Sequence, residues 1–238
     1  MNTFWLSADD LLRGSQRASS ASKNASEPGR AKTLESWRLA RLVGQIAVFG
    51  ALYGAAMGTF AVTVERAPQI VFAAVKVPLL LLATGALSVP LFAVLYSLWG
   101  LRAEWIPVLR ALASTQAALS IVLASLSPLT LVVHASLPSG GSGYAASVLW
   151  NALIFAVAGL TAQIVLRAKM RFWIERDRRH VSLLRAWLLI YGFIGVQMAW
   201  VLRPFIGDPG GDVTFLRAQW SGNAYVALWK LIGLWIGL

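Results

Sequence analysis

The side chains able to do chemistry in this chain are few. The histidines are His134 and His180, Asp and Glu total ten, and there is no cysteine. Without a thiol, no disulfide framework, thiolate metal site, iron–sulfur cluster or cysteine nucleophile can form within the chain. His134 precedes a Pro-Ser-Gly-Gly run and His180 lies in a strongly basic stretch. Neither has a Ser, Asp or Glu at a spacing that makes a recognisable nucleophile and base pair, and no acid cluster joins a histidine at metal-ligand spacing. No catalytic residue is named on this pattern. His134 alone is a candidate ligand for a haem or chlorin metal near a membrane interface, against the plainer reading of a helix-end histidine.

Three other groups of residues stand out. Gly50, Gly54 and Gly58 recur every fourth residue, so they share one helix face on which another backbone can approach closely. This predicts a packing groove, filled within the bundle or by a neighbouring subunit. Trp200, Arg203, Pro204, Asp208, Pro209, Gly210, Arg217, Trp220 and Asn223 crowd one junction. There Arg203-Pro ends a helix, Asp208-Pro-Gly-Gly supplies tight turns, and the tryptophans suit the interfacial belt. The junction reads as an outer turn and docking element, with Arg203 and Asp208 placed to pair across it. Finally Arg167, Lys169, Arg171, Arg176, Arg178 and Arg179, with Phe172 and Trp173, form a cationic cluster that attracts anionic lipid headgroups. Glu175 and Asp177 interleave it, as docking of a cytoplasmic partner would also allow.

The elements that must carry these residues are membrane spans. A helix needs about 20 apolar residues to cross a hydrocarbon core of roughly 30 Å. Five such runs occur, near Ala40–Val64, Val75–Leu98, Pro107–Val133, Ala145–Leu166 and Leu183–Leu202. The second carries Pro78 and Pro90, and Pro90 should remove a backbone bond and kink it. A sixth run, Asn223–Leu238, has 16 residues with Lys230 in its middle, short for a span and suited also to a re-entrant or interfacial helix. No ionisable group lies near the centre of the five long runs. Their polar residues are Gln45, Ser114, Gln116, Ser120, Asn151, Thr161, Gln163 and Gln197, which can bond between helices or line a small cavity.

Lysine and arginine set the orientation, because segments rich in them stay cytoplasmic. The N-terminal stretch through Arg41, the Arg102–Arg110 loop and the Arg167–Arg185 segment hold sixteen; the alternate segments hold four, Arg66, Lys76, Arg203 and Arg217. The N-terminus is therefore expected in the cytoplasm of a bacterium, with the chain in its inner membrane. Residues 1–38 are rich in Ser, Ala, Arg and Lys and read as a disordered basic tail, with 39–238 as the transmembrane domain. The tail lacks an apolar core with a cleavage site, so the first span is expected to stay as an anchor.

Composition agrees with a membrane class. Of 238 residues 58% are hydrophobic and 13% charged, where a soluble domain carries about a quarter charged. The net charge of +11 is explained by topology, so nucleic acid is not an expected partner. The expected fold is all-α, a polytopic transmembrane helical bundle of five long spans plus a short C-terminal membrane-associated or sixth helix.

The stretch Gln197-Met-Ala-Trp-Val-Leu-Arg-Pro-Phe-Ile-Gly-Asp-Pro-Gly, with Phe215-Leu-Arg and Asn223-Ala-Tyr downstream, resembles the signature of a family of uncharacterised bacterial multi-span membrane proteins. Lys76-Val-Pro-Leu-Leu-Leu-Leu is similar to that family too, and loosely resembles the Yip1-like membrane proteins. The resemblance covers roughly residues 40–230. It implies a multi-span helical fold and transfers no activity.

Two functions fit these observations. One is a non-enzymatic accessory or scaffold subunit of a larger membrane complex of respiratory or photosynthetic type, packing against other membrane protein subunits, lipids or pigments. Membrane lipid is then the expected bound molecule, with pigment, quinone or haem contact compatible but not derivable from the residues. The alternative is a small transporter, channel or lipid-handling protein, with the Asn151, Gln163 and Gln197 amides along its pathway.

Overall fold

In lipid every backbone N–H and C=O must be satisfied within the protein, and a helix does this within one segment. The computed structural model describes residues 28–207, 213–216 and Val226. It is an all-α helical bundle, with no strand among the described residues. Six helices follow in order: α1 Pro28–Met57, α2 Pro68–Leu98, α3 Trp105–Ser125, α4 Ser127–Ser136, α5 Gly141–Arg176 and α6 Arg179–Val201. Five of these are long and apolar enough to cross a membrane, α4 being the exception. The described part of the chain is thus a multi-pass transmembrane bundle.

Several boundaries differ from the sequence reading. Helix α1 starts at Pro28, inside the stretch read as a disordered tail. The run expected as one span, Pro107–Val133, divides at Leu126 into α3 and α4. Pro128 cannot offer an N–H to the Ala124 carbonyl, and the Ser127 hydroxyl donates to that carbonyl instead at 2.7 Å. The break lets α4 turn away over the end of α1. Pro78 and Pro90 lie inside α2, which runs as one helix from Pro68 to Leu98. Helix α5 runs to Arg176, two to three turns past the predicted Leu166, so most of the cationic cluster is helical rather than loop. Apart from Val226, the segment Asn223–Leu238 lies outside the described residues, as do Asp208, Pro209, Gly210, Arg217, Trp220 and the tail through residue 27.

The glycine face explains how the bundle begins. A Cβ at Gly50 would stand 3.2 Å from Pro78 Cα, one at Gly58 2.7 Å from Ile70 Cα, and one at Gly54 would overlap the Ala73 carbonyl. The groove is filled by α2 of the same chain. Helix α1 also packs on α3, and α3 on α5, while α6 leans on α2 and scarcely touches α5. Two cores result. One joins Ile46, Tyr53, Phe60, Val77, Leu81 and Ile154; the other joins Phe92, Tyr96, Val108, Leu166, Met170 and Trp187. The poor contact between α5 and α6 leaves a cleft.

Candidate functional site

The cleft has a volume of about 1110 Å³ and runs between α5 and α6, floored by α2. Its walls are small or apolar where the two helices face each other: Ala152, Ala156 and Gly159 on α5, Gly192, Gly195 and Ala199 on α6. These fall at spacings of three and four residues, so each set lies on one face of its helix. A Cβ at Gly159 or Gly192 would meet nothing within 4 Å, so these glycines border open space, unlike Gly50 and Gly54 of α1. At one end the cleft is closed by Arg66, Gln69, Arg203, Pro204, Phe205 and Gly207; we call this the Arg203 end. From Gln69 it reaches along α2 to Thr84, about 22 Å at a helical rise of 1.5 Å per residue. That exceeds the roughly 15 Å of one hydrocarbon leaflet.

The Arg203 end is assembled by hydrogen bonds from α2. Lys76 Nζ donates to the Pro204 carbonyl at 2.6 Å, and Gln69 Nε2 donates to the Phe205 carbonyl at 3.0 Å. Lys76 is fully buried and its ammonium lies 5.1 Å from the Phe215 ring centroid, a cation–π distance. The segment 203–207 therefore caps the cleft because two α2 side chains hold its carbonyls. The predicted turn residues that are described behave accordingly: Arg203 stacks its guanidinium on Trp200 at 3.1 Å and donates from Nε to the Trp200 carbonyl. Lys76 was not among the residues singled out from sequence, because the second span was placed to start at Val75. The earlier start of α2 puts Lys76 two turns inside a helix, and a lysine in an apolar run was the available signal.

Two buried oxygens on the cleft lack any hydrogen-bond partner, Gln69 Oε1 and Thr84 Oγ1, on residues only 2% and 1% exposed. A buried acceptor left unpaired costs about 1–3 kcal/mol. Such groups call for a physical explanation, an ordered water or a bound molecule in the cavity among them.

Asn151 connects the cleft to a second polar cluster. Its Oδ1 accepts from Tyr53 OH at 2.7 Å, and its Nδ2 donates to the Ser147 carbonyl at 2.8 Å and to His134 Nε2 at 3.1 Å. An amide nitrogen only donates, so Nε2 is an acceptor and the ring proton sits on Nδ1, 3.4 Å from Thr59 Oγ1. Ser147 Oγ also lies 2.8 Å from Nε2. Both ring nitrogens of His134 thus have polar neighbours within the protein. No group of three or more metal-ligating side chains occurs among the described residues. The Ser147–His134 contact is a pairing that sequence spacing did not reveal, but both residues are buried and neither lines the cleft.

A third polar cluster lies at the opposite end. His180, expected in a basic loop, is fully buried at the start of α6. Its Nε2 donates to Glu104 Oε2 at 2.6 Å and its Nδ1 lies 2.9 Å from Tyr96 OH. This chain pins the first turn of α6 to the α2–α3 connection, 76 residues away in sequence. Around it Arg167, Arg171, Arg176, Arg178 and Arg179 are exposed and Lys169 and Trp173 half-buried, with Arg171 Nε bonded to Glu175 at 2.7 Å.

The remaining polar residues of the spans mostly serve their own or a neighbouring helix. Ser114, Ser120 and Thr161 donate to carbonyls three or four residues back. Gln116 donates to the Leu81 carbonyl across to α2 and reaches Tyr191 OH at 3.3 Å. Of the three amides expected on a shared pathway, Asn151 lines the cleft and Gln163 and Gln197 do not. No protein-family model, curated protein or solved structure matches the chain.

Proposed function

We propose that this chain is a lipid-handling membrane protein of the bacterial inner membrane, with its N-terminus in the cytoplasm, and that it binds an amphiphile in the α5–α6 cleft. The observation that carries this reading is the cleft itself: about 1110 Å³, mainly apolar, deeper than one leaflet and capped at one end by polar groups. Apolar chains gain nothing by leaving lipid for an apolar wall, so selection must come from shape and from the polar cap. A channel for ions fits less well, since the three amides do not share one face and the lining is largely apolar. The test is lipid analysis of the full chain extracted in mild detergent. Wild type should retain about one tightly held lipid per chain, and Gly159→Phe or Gly192→Phe, which fill open space without a clash, should lose it. Equal retention in all three overturns the reading.

A second reading, an accessory subunit of a larger membrane complex, is favoured by α6. Leu189 and Phe193 are 73% and 61% exposed along that helix and do not line the cleft, a surface that lipid or a neighbouring span would cover. Stoichiometric co-purification of other membrane proteins from native membranes supports this reading, and a lone chain counts against it.

A further inference from the structure

The Arg203 end of the cleft is built from few groups, and their chemistry restricts what can sit there. Gln69 uses its Nε2 on the Phe205 carbonyl, which fixes the amide orientation and leaves Oε1 as an acceptor with no partner. An acceptor is completed only by a donor, and in an amphiphile that donor is most simply a hydroxyl. Beside it lies Arg66. A Cβ built on Gly207 would be 3.4 Å from Gln69 Cγ and 3.9 Å from Arg66 Nη1, so amide and guanidinium converge where Gly207 leaves room. A guanidinium has five donors in a planar fork, so it can take a phosphate oxygen while keeping other contacts. Arg203 adds a second guanidinium at the same end.

Resting on the lipid-handling reading, we propose that the cleft selects an amphiphile whose headgroup joins an anionic phosphate to a free hydroxyl, the phosphate meeting Arg66 and the hydroxyl donating to Gln69 Oε1. The chains lie along the Ala152, Gly159 and Gly192 walls toward Thr84. Each headgroup feature has its own receptor, so each can be removed separately.

The experiment is native mass spectrometry of the full chain titrated with four defined lipids of equal chain length. Phosphatidylglycerol carries phosphate and hydroxyl, phosphatidylmethanol the phosphate alone, diacylglycerol a hydroxyl alone, and phosphatidylcholine neither a free hydroxyl nor net negative charge. Phosphatidylglycerol should bind wild type at least tenfold tighter than the other three. Gln69→Met should lower it to the phosphatidylmethanol level, Arg66→Gln should bring it near diacylglycerol, and the distant Arg171→Gln should leave it unchanged. One-to-one binding of all four lipids with equal affinity overturns the headgroup inference and leaves the cleft reading standing. Absence of any saturable one-to-one binding overturns both. Equal loss in Arg171→Gln assigns the binding to general surface charge and overturns the inference, and the wild-type comparison decides the matter even where a variant fails to fold.

Discussion

Asn151 shows how one side chain holds three helices. Its two amide ends join Tyr53 on α1, the Ser147 carbonyl on α5 and His134 on α4. Flipping the amide would set Oδ1 against the Ser147 carbonyl and Nδ2 against a phenol that now donates, so the network fixes the orientation. Asn151→Leu keeps the number and branching of side-chain heavy atoms and takes from Tyr53 OH its Asn151 acceptor, in a site that is 0% exposed. An orphaned buried group costs about 1–3 kcal/mol, and polar bonds between membrane helices average nearer 0.6 kcal/mol. The expected outcome is a melting temperature in detergent several degrees below wild type, with Tyr53→Phe falling less because it removes one bond and orphans only Oδ1. Unchanged melting in Asn151→Leu would show that this network does not hold the helices together.

At the scale of the element, the pair α1–α2 argues from glycine. Gly54 has no room for a Cβ beside the Ala73 carbonyl, whereas Gly44, on the same helix, has nothing within 4 Å. Gly54→Leu must therefore push the two backbones apart, and overpacking of this kind costs about 1–3 kcal/mol or more. Gly44→Leu should be tolerated. Thermal unfolding in detergent checks the contrast, and equal stability of the two variants would count against a tight α1–α2 groove. This groove was legible in the sequence because a four-residue glycine spacing has one geometric meaning on a helix. So were the five spans, since apolar length alone demands them. The division at Leu126 was less so: Pro128 near the end of an apolar run reads equally as a kink or a break, and only the turn of α4 onto α1 decides. The polar clusters were not legible at all. Glu104 and His180 stand 76 residues apart, and Tyr53 and Asn151 98, and no local spacing encodes such meetings. The cleft was invisible for a related reason: it arises from a missing contact between α5 and α6, and alanine and glycine on a membrane helix more often mark a contact made.

The whole molecule is an asymmetric distribution of charge around an apolar bundle. Cationic side chains collect at the end where Arg102, Arg110 and the Arg167–Arg185 segment lie, and the opposite end carries Arg66 and Arg203 with the cleft cap. By the positive-inside rule the proposed orientation has the His180 end in the cytoplasm, and the polar cap of the cleft would then open toward the other face of the membrane. The lack of cysteine makes this directly measurable, since any introduced thiol is the sole reactive one. Arg178→Cys and Ser139→Cys fall in the exposed turns at opposite ends of α5. In intact spheroplasts a membrane-impermeant maleimide should label Ser139→Cys, while Arg178→Cys reacts after lysis. Labelling of Arg178→Cys before lysis would invert the bundle, and the Arg203 end would then draw its ligand from the cytoplasmic leaflet. The orientation thus decides which leaflet supplies the cleft, because Gln69 and Arg66 hold the headgroup at one end only and the apolar walls carry the chains away from it.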